Sequence, residues 1–153
     1  MNIINQFNGS YDNLDEYYVT PSHKIKNITK LLVHVLKRDN TSLKEYLKYK
    51  QDKINIQIES YDALFVAVRN YDTCTNLETV KILLDNGANV NSYNEINIHS
   101  YPLLSAIRNH YDYDLIKLLL DNGAYIYNIT NNGSAISYAC KYYDKKKIRS
   151  LKL

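Results

Sequence analysis

Two stretches of the 153-residue chain carry residue types from which a cation site could be built, Lys81–Asn91 (KILLDNGANVN) and Lys117–Tyr127 (KLLLDNGAYIY). They lie 36 residues apart and are identical at seven of eleven positions. A calcium loop needs carboxylates at alternating positions and a closing Glu. Neither stretch has them, so metal binding is not expected. His23, His34, His99 and His110 are scattered. None sits in a nucleophile motif or at metal-ligand spacing with another His or Cys. Cys140 occupies a small-residue position suited to core packing. Cys74 falls in a loop where exposure is expected, with no basic or His neighbour in sequence to lower its pKa. No glycine-rich phosphate loop is present, since the four glycines fall in turns or in the N-terminal segment. These residues predict no catalysis, no cofactor and no metal.

The near-copy is more informative as a repeat. Upstream of the two stretches lie YDALFVAVRN (61–70) and SYPLLSAIRN (100–109). GSAISYACKYY (133–143) continues the pattern, and KLLVHVLKRD (30–39) matches it loosely. The equivalent positions Leu32, Leu64, Leu103 and Ile136 are 32, 39 and 33 residues apart. Self-similarity at this period marks a stack of supersecondary units. Each unit reads as two short helices. Leu103, Leu104, Ala106 and Ile107 set the apolar face of one. Leu115, Ile116, Leu118, Leu119 and Leu120 make its partner apolar nearly all round, as a helix covered on both sides would be. Ala67, Ala106 and Ala139 recur where helices must approach closely. Thr75 with Glu78 reads as a capping box, and Asp112 and Asp144 as helix starts. Gly87 and Gly123 then end helices in the left-handed conformation, with Val90 and Ile126 tucking back into the stack.

These motifs resemble the ankyrin-repeat family. The starts are YPLLSA (101–106), DALFVA (62–67) and SAISYA (134–139); the second helices are TVKILL (79–84) and LIKLLL (115–120); the turns are GANVN (87–91) and GAYIY (123–127). The resemblance implies an all-α solenoid of about 3.5 helix-turn-helix repeats with short fingers. The N-terminal segment or cap spans 1–27 and the array 28–153, in units of about 28–58, 59–97, 98–130 and an incomplete 131–153. Unit one departs from the pattern with Gln51-Asp52 in place of Gly-Ala, though Ile54-Asn55 still matches. Unit two carries about four extra residues around TCTN (73–76), and unit four stops at KKKIRSLKL before a second turn.

Nineteen Asn, sixteen Tyr, sixteen Ile and fifteen Lys dominate the composition, the bias of an AT-rich genome. With YDYDLIKLLLDNGA (111–124), this looks like the ankyrin proteins of large DNA viruses, poxviruses in particular. That resemblance implies a host-range or immune-evasion role, binding a host protein in the host cytoplasm. The ubiquitin-ligase-recruiting, F-box-like segment of many such proteins is not visible here. The alternative expectation is a truncated remnant with little independent function. The chain shows no signal peptide and no apolar run long enough for a membrane span. A net charge of +3 is far from that of a dedicated nucleic-acid binder.

Two surfaces are candidates for a protein partner. The first-helix ends supply Lys37-Arg38, Arg69, Arg108 and Lys141-Tyr142, a recurring cation that either faces a partner or simply complements the helix dipole. The fingers NIQIESY (55–61), NSYNEINIHSY (91–101) and YNITNNG (127–133) are rich in Tyr and Asn. Tyr suits interfaces, although the codon bias would supply it anyway. Tyr93, Ile96 and His99 are the preferred contacts there. Asn89 and Asn91 of one turn become Tyr125 and Tyr127 of the next, and that divergence is where partner information is expected.

Overall fold

A computed structural model describes residues 16–20, 23–26, 30–57, 61–93, 101–109, 112–127, 129–130 and 133–141. The chain divides into two compact units, Met1–Asn89 and Val90–Leu153. The first opens with an antiparallel hairpin that the sequence pattern does not announce, β1 (Glu16–Thr20) with β2 (His23–Lys26), irregular between Tyr18 and Thr20. Helices then follow in pairs: α1 (Lys30–Leu36) with α2 (Asn40–Lys50), and α3 (Ala63–Arg69) with α4 (Leu77–Asp85). In the second unit α5 (Pro102–Asn109) pairs with α6 (Tyr113–Asp121). A two-residue ladder, β3 (Ile129–Thr130) with β4 (Gly133–Ser134), leads into helical residues 135–141, here α7.

In the first unit α1 packs on α3 and α2 on α4, so the two hairpins stack side by side. Their core is Leu31, Leu32, Val35 and Leu36 of α1, Leu43 and Leu47 of α2, residues 63–68 of α3, and Val80, Ile82, Leu83 and Leu84 of α4. The second helices thus follow amphipathic spacing, whereas α3 is buried on every side but its last residue, as a helix inside a stack must be. In the second unit Leu103, Leu104, Ala106, Ile107, Leu115 and Leu119 are buried. Ile116 and Leu118 are half-buried and Leu120 is exposed, so α6 is not covered all round as its composition suggests.

Start signals sit where short polar side chains can reach back to orphan N–H groups. Asp39, Asp62 and Asp112 accept from the amides of Ser42, Phe65 and Leu115 at 3.0, 2.8 and 2.8 Å. The expected Thr75–Glu78 capping box is not formed. Asn76 caps α4, accepting from the Thr79 amide at 2.9 Å. Thr75 is fully buried and its hydroxyl donates to the Ala67 carbonyl instead, while Glu78 turns toward Lys44 at 2.8 Å and Asn40 at 3.1 Å. The inserted TCTN segment is correspondingly not an extended loop. The amides of Thr73, Cys74 and Thr75 all converge on the Asn70 carbonyl, and Asp72 takes φ +63° to close the turn. This knot buries Cys74 to 1% exposure, against the expectation of an accessible thiol.

The last repeat departs furthest. Cys140 is exposed rather than packed, Ala139 is half-buried, and Ile136 is 44% exposed where Leu32, Leu64 and Leu103 are buried. Among the described residues no second helix pairs with α7, and within α7 Ala135 is buried while Ile136 is exposed. Asp144 lies outside the described residues.

His34 in α1 leans on the Tyr46 ring at 5.9 Å, and its Nδ1 is buried with no hydrogen-bond partner among the described residues. Desolvation lowers its pKa below 6.5, opposed by nearby Asp39 and assisted by Lys37 and Lys30. A depressed folded pKa favours the neutral ring, so its contribution is intact above pH 6.5 and lost as pH falls through the folded value. Urea unfolding of wild type should therefore lose stability below that pH, and His34→Gln should flatten the dependence in this range. In the same assay Asn76→Ala should cost about 1 kcal/mol by uncapping α4, and Glu78→Gln less, because its ion pair is solvent-exposed.

Candidate interaction surface at the finger turns

The two turns that resembled cation loops are helix ends. At the first, Gly87 (φ +89°) donates to the Leu84 carbonyl at 2.9 Å and Ala88 to that of Leu83 at 3.0 Å. At the second, Gly123 (φ +84°) and Ala124 do the same to Leu120 and Leu119 at 2.9 and 3.0 Å. This is the Schellman arrangement, and the positive φ is what requires glycine. The preceding asparagines add side-chain donors: Asn86 Nδ2 to the Ile82 carbonyl at 2.8 Å and Asn122 Nδ2 to that of Leu118 at 2.9 Å.

Adjacent turns are tied by a second set of asparagine amides. Asn55 Nδ2 donates to the Gly87 carbonyl at 2.9 Å while its Oδ1 accepts from the Asn89 amide at 2.8 Å. Thirty-six positions on, Asn91 Nδ2 donates to the Gly123 carbonyl at 2.9 Å and its Oδ1 accepts from the Tyr125 amide at 2.8 Å. Gln51 adds a bond to the Asn86 carbonyl at 3.0 Å. Gln51-Asp52 lies in a 3-10 turn (Gln51–Lys53), so the irregular first turn still braces its neighbour. The opposite end of the first unit is tied through Arg38 to the Thr75 carbonyl at 3.0 Å and Thr79 to Asn40 Oδ1 at 2.8 Å.

The candidate residues fall on this frame unevenly. Arg38 (φ +56°) is engaged by the fold through Thr75, Lys37 is exposed and Arg69 is half-buried at the end of α3; all three belong to the first unit. Arg108 and Lys141 are exposed and belong to the second. Tyr142, Ile96 and His99 lie outside the described residues. Tyr93 is 48% exposed, its ring tilted against Tyr101 with centroids 5.2 Å apart. Tyr125 and Tyr127 are 62% and 76% exposed, and Ile129, which the sequence pattern had not singled out, is 83% exposed. The Asn91–Tyr125 bond sets the turn carrying Tyr93 beside the turn carrying Tyr125 and Tyr127, bringing three of the predicted contacts into one neighbourhood. Asn91 itself is a brace, so the Asn-to-Tyr change at position 127 removes a strut as well as adding an aromatic. Alternation was the signal available for Ile129, since 125, 127 and 129 are spaced by two.

Among the described residues no group of His, Cys, Asp or Glu is placed to hold a metal. The charged pairs of the frame are surface pairs: Lys44–Glu78 at 2.8 Å, where that hydrogen bond holds the Glu78 pKa below its ordinary value, and Lys117–Asp121 at 2.6 Å, which raises that of Lys117. What the surface offers is contact area: tyrosines with few torsions to freeze, on turns fixed by main-chain bonds.

Residues 61–95 match the ankyrin-repeat family model. The matched span begins at Tyr61 before the Asp62 cap of α3, contains α4 and its glycine turn, and ends just after Tyr93. With the paired helices of both units, the fold class is the all-α ankyrin type. Ankyrin repeats generally serve as protein–protein interaction modules and are not catalytic. A comparison with curated proteins finds no match. No helix among the described residues is long and apolar enough to cross a membrane.

Because Asn91 carries two hydrogen bonds, Asn91→Ala should lower stability by about 1–2 kcal/mol in urea unfolding. Tyr127→Ala, an exposed change outside the brace, should stay within about 0.5 kcal/mol of wild type.

Proposed function

We propose that the chain works by binding another protein through the tyrosine-bearing turns of its second unit, with Tyr93, Tyr125, Tyr127 and Ile129 as apolar contacts and Arg108 and Lys141 as cations. The observation that carries the reading is exposure on a rigid support. Side chains of this size at 48–83% exposure are costly to leave in water unless something covers them, and asparagine-braced turns hold them in place before any partner arrives. Contact needs no chemistry: the target is recognised by shape, and binding competes with the target's normal partner. The Asn-, Ile-, Tyr- and Lys-rich composition and the resemblance to ankyrin proteins of large DNA viruses support a host protein as that target, met in the host cytoplasm, with host-defence or host-range modulation as the outcome.

The test is affinity capture from host-cell lysate. Tyr125→Ser/Tyr127→Ser should reduce recovery of the specific partner by about tenfold, the scale of one central hot spot. Arg108→Glu should reduce it less, and Tyr49→Ser, an equally exposed tyrosine of the first unit, should leave it unchanged. Equal recovery by wild type and the Tyr125/Tyr127 variant would refute the assignment. In gel retardation at low salt, where phosphate binding is strongest, no shift of DNA or RNA is expected.

A further inference from the structure

All four glycines of the chain follow an asparagine: Asn8-Gly9, Asn86-Gly87, Asn122-Gly123 and Asn132-Gly133. This dipeptide is prone to an intramolecular reaction, because glycine has no Cβ to keep its nitrogen away from the preceding side chain. The glycine nitrogen attacks Cγ of the asparagine and the Cγ–Nδ2 bond breaks. Nδ2 leaves as ammonia, carrying the proton given up by the glycine nitrogen. Water then opens the cyclic imide at either carbonyl, giving aspartate or isoaspartate, and in isoaspartate the backbone runs through Cβ.

We propose that Asn86-Gly87 and Asn122-Gly123 are latent deamidation sites held shut by their helix ends, and that reaction at Asn86 unties the first turn from the second. Both reacting groups are occupied in the fold. The nucleophilic Gly87 N–H is bonded to the Leu84 carbonyl at 2.9 Å and the Asn86 amide to the Ile82 carbonyl at 2.8 Å. Gly123 and Asn122 repeat this with the carbonyls of Leu120 and Leu118, each at 2.9 Å. No side chain crowds either glycine, with nothing within 4 Å of an added Cβ, so hydrogen bonding rather than steric cover is what restrains the reaction. It must then pass through a local opening of the helix end, and its rate follows the opened fraction.

The product cannot re-form the same contacts. A carboxylate at position 86 replaces a donor with a negative charge against the last carbonyls of α4, the end of the helix that disfavours it. In the isoaspartate product the inserted backbone atom also displaces the Gly87 carbonyl from Asn55 and the residue 86 main chain from Gln51, the bonds that tie the first turn to the second. Each event would be a permanent record of one helix end having opened.

Peptide mapping by mass spectrometry after incubation of the whole chain in mildly alkaline buffer, with and without urea, tests this site by site. Asn86 and Asn122 should deamidate about tenfold or more slowly without urea, since only the opened fraction reacts. Asn55→Ala, which frees the Gly87 carbonyl, should accelerate Asn86 while leaving Asn122 at its wild-type rate. Equal rates at Asn86 with and without urea, or no reaction at Asn86 in urea, would overturn the proposal.

Discussion

A primary amide offers a donor and an acceptor a fixed distance apart, and the finger turns depend on that pairing. Asn55 and Asn91 each insert this group between a carbonyl and an N–H of the next turn, so each holds its neighbour by two bonds at 2.8–2.9 Å. These are exposed bonds worth about 0.5–1.5 kcal/mol each. Burying one Leu or Val of the core contributes about 1.5–3 kcal/mol, and the first unit buries many such side chains. The core therefore decides whether the hairpins stack, and the amides decide how one turn is set against the next. A helix stack without them could stay folded while its fingers lost their mutual register, and the surface they carry would lose its shape.

That division explains what could be read from residues alone. Period, helix pairs and the glycine turns are written in apolar spacing and in residues with a single conformational role, and Gly87, Gly123 and Asp112 take the places their types dictate. Polar side chains with several possible partners are harder to place. Thr75 and Asn76 are adjacent and both can cap; the choice depends on the Ala67 carbonyl, which only the folded loop brings near Thr75. Cys74 is buried for the same reason. The asparagines were read as codon bias, yet Asn40, Asn55, Asn70, Asn76, Asn86, Asn91 and Asn122 each make specific bonds. Leu120 and Ile136 were misplaced because helical spacing shows which residues are apolar but not whether a neighbour arrives to cover them.

Of the candidate contacts, Tyr93 was singled out in a finger and Tyr125 and Tyr127 where the two copies diverge, and all three are exposed. The cations were identified by recurrence, yet Arg38 spends its guanidinium on the Thr75 carbonyl. Recurrence at a helix end arises as readily from internal bracing as from a shared partner. An aromatic on a braced turn is a more selective signal, because ordering it on binding costs little and burying it gains much.

Hydrogen exchange at two exposed amides tests the bracing most directly. Asn89 and Tyr125 are exposed residues, and the Asn55 and Asn91 side chains accept from their amides. In the wild type both amides should be protected relative to the unfolded chain. In Asn55→Ala the Asn89 amide should lose that protection while Tyr125 keeps it. Exchange of both amides at unfolded-chain rates in the folded wild type would contradict the account.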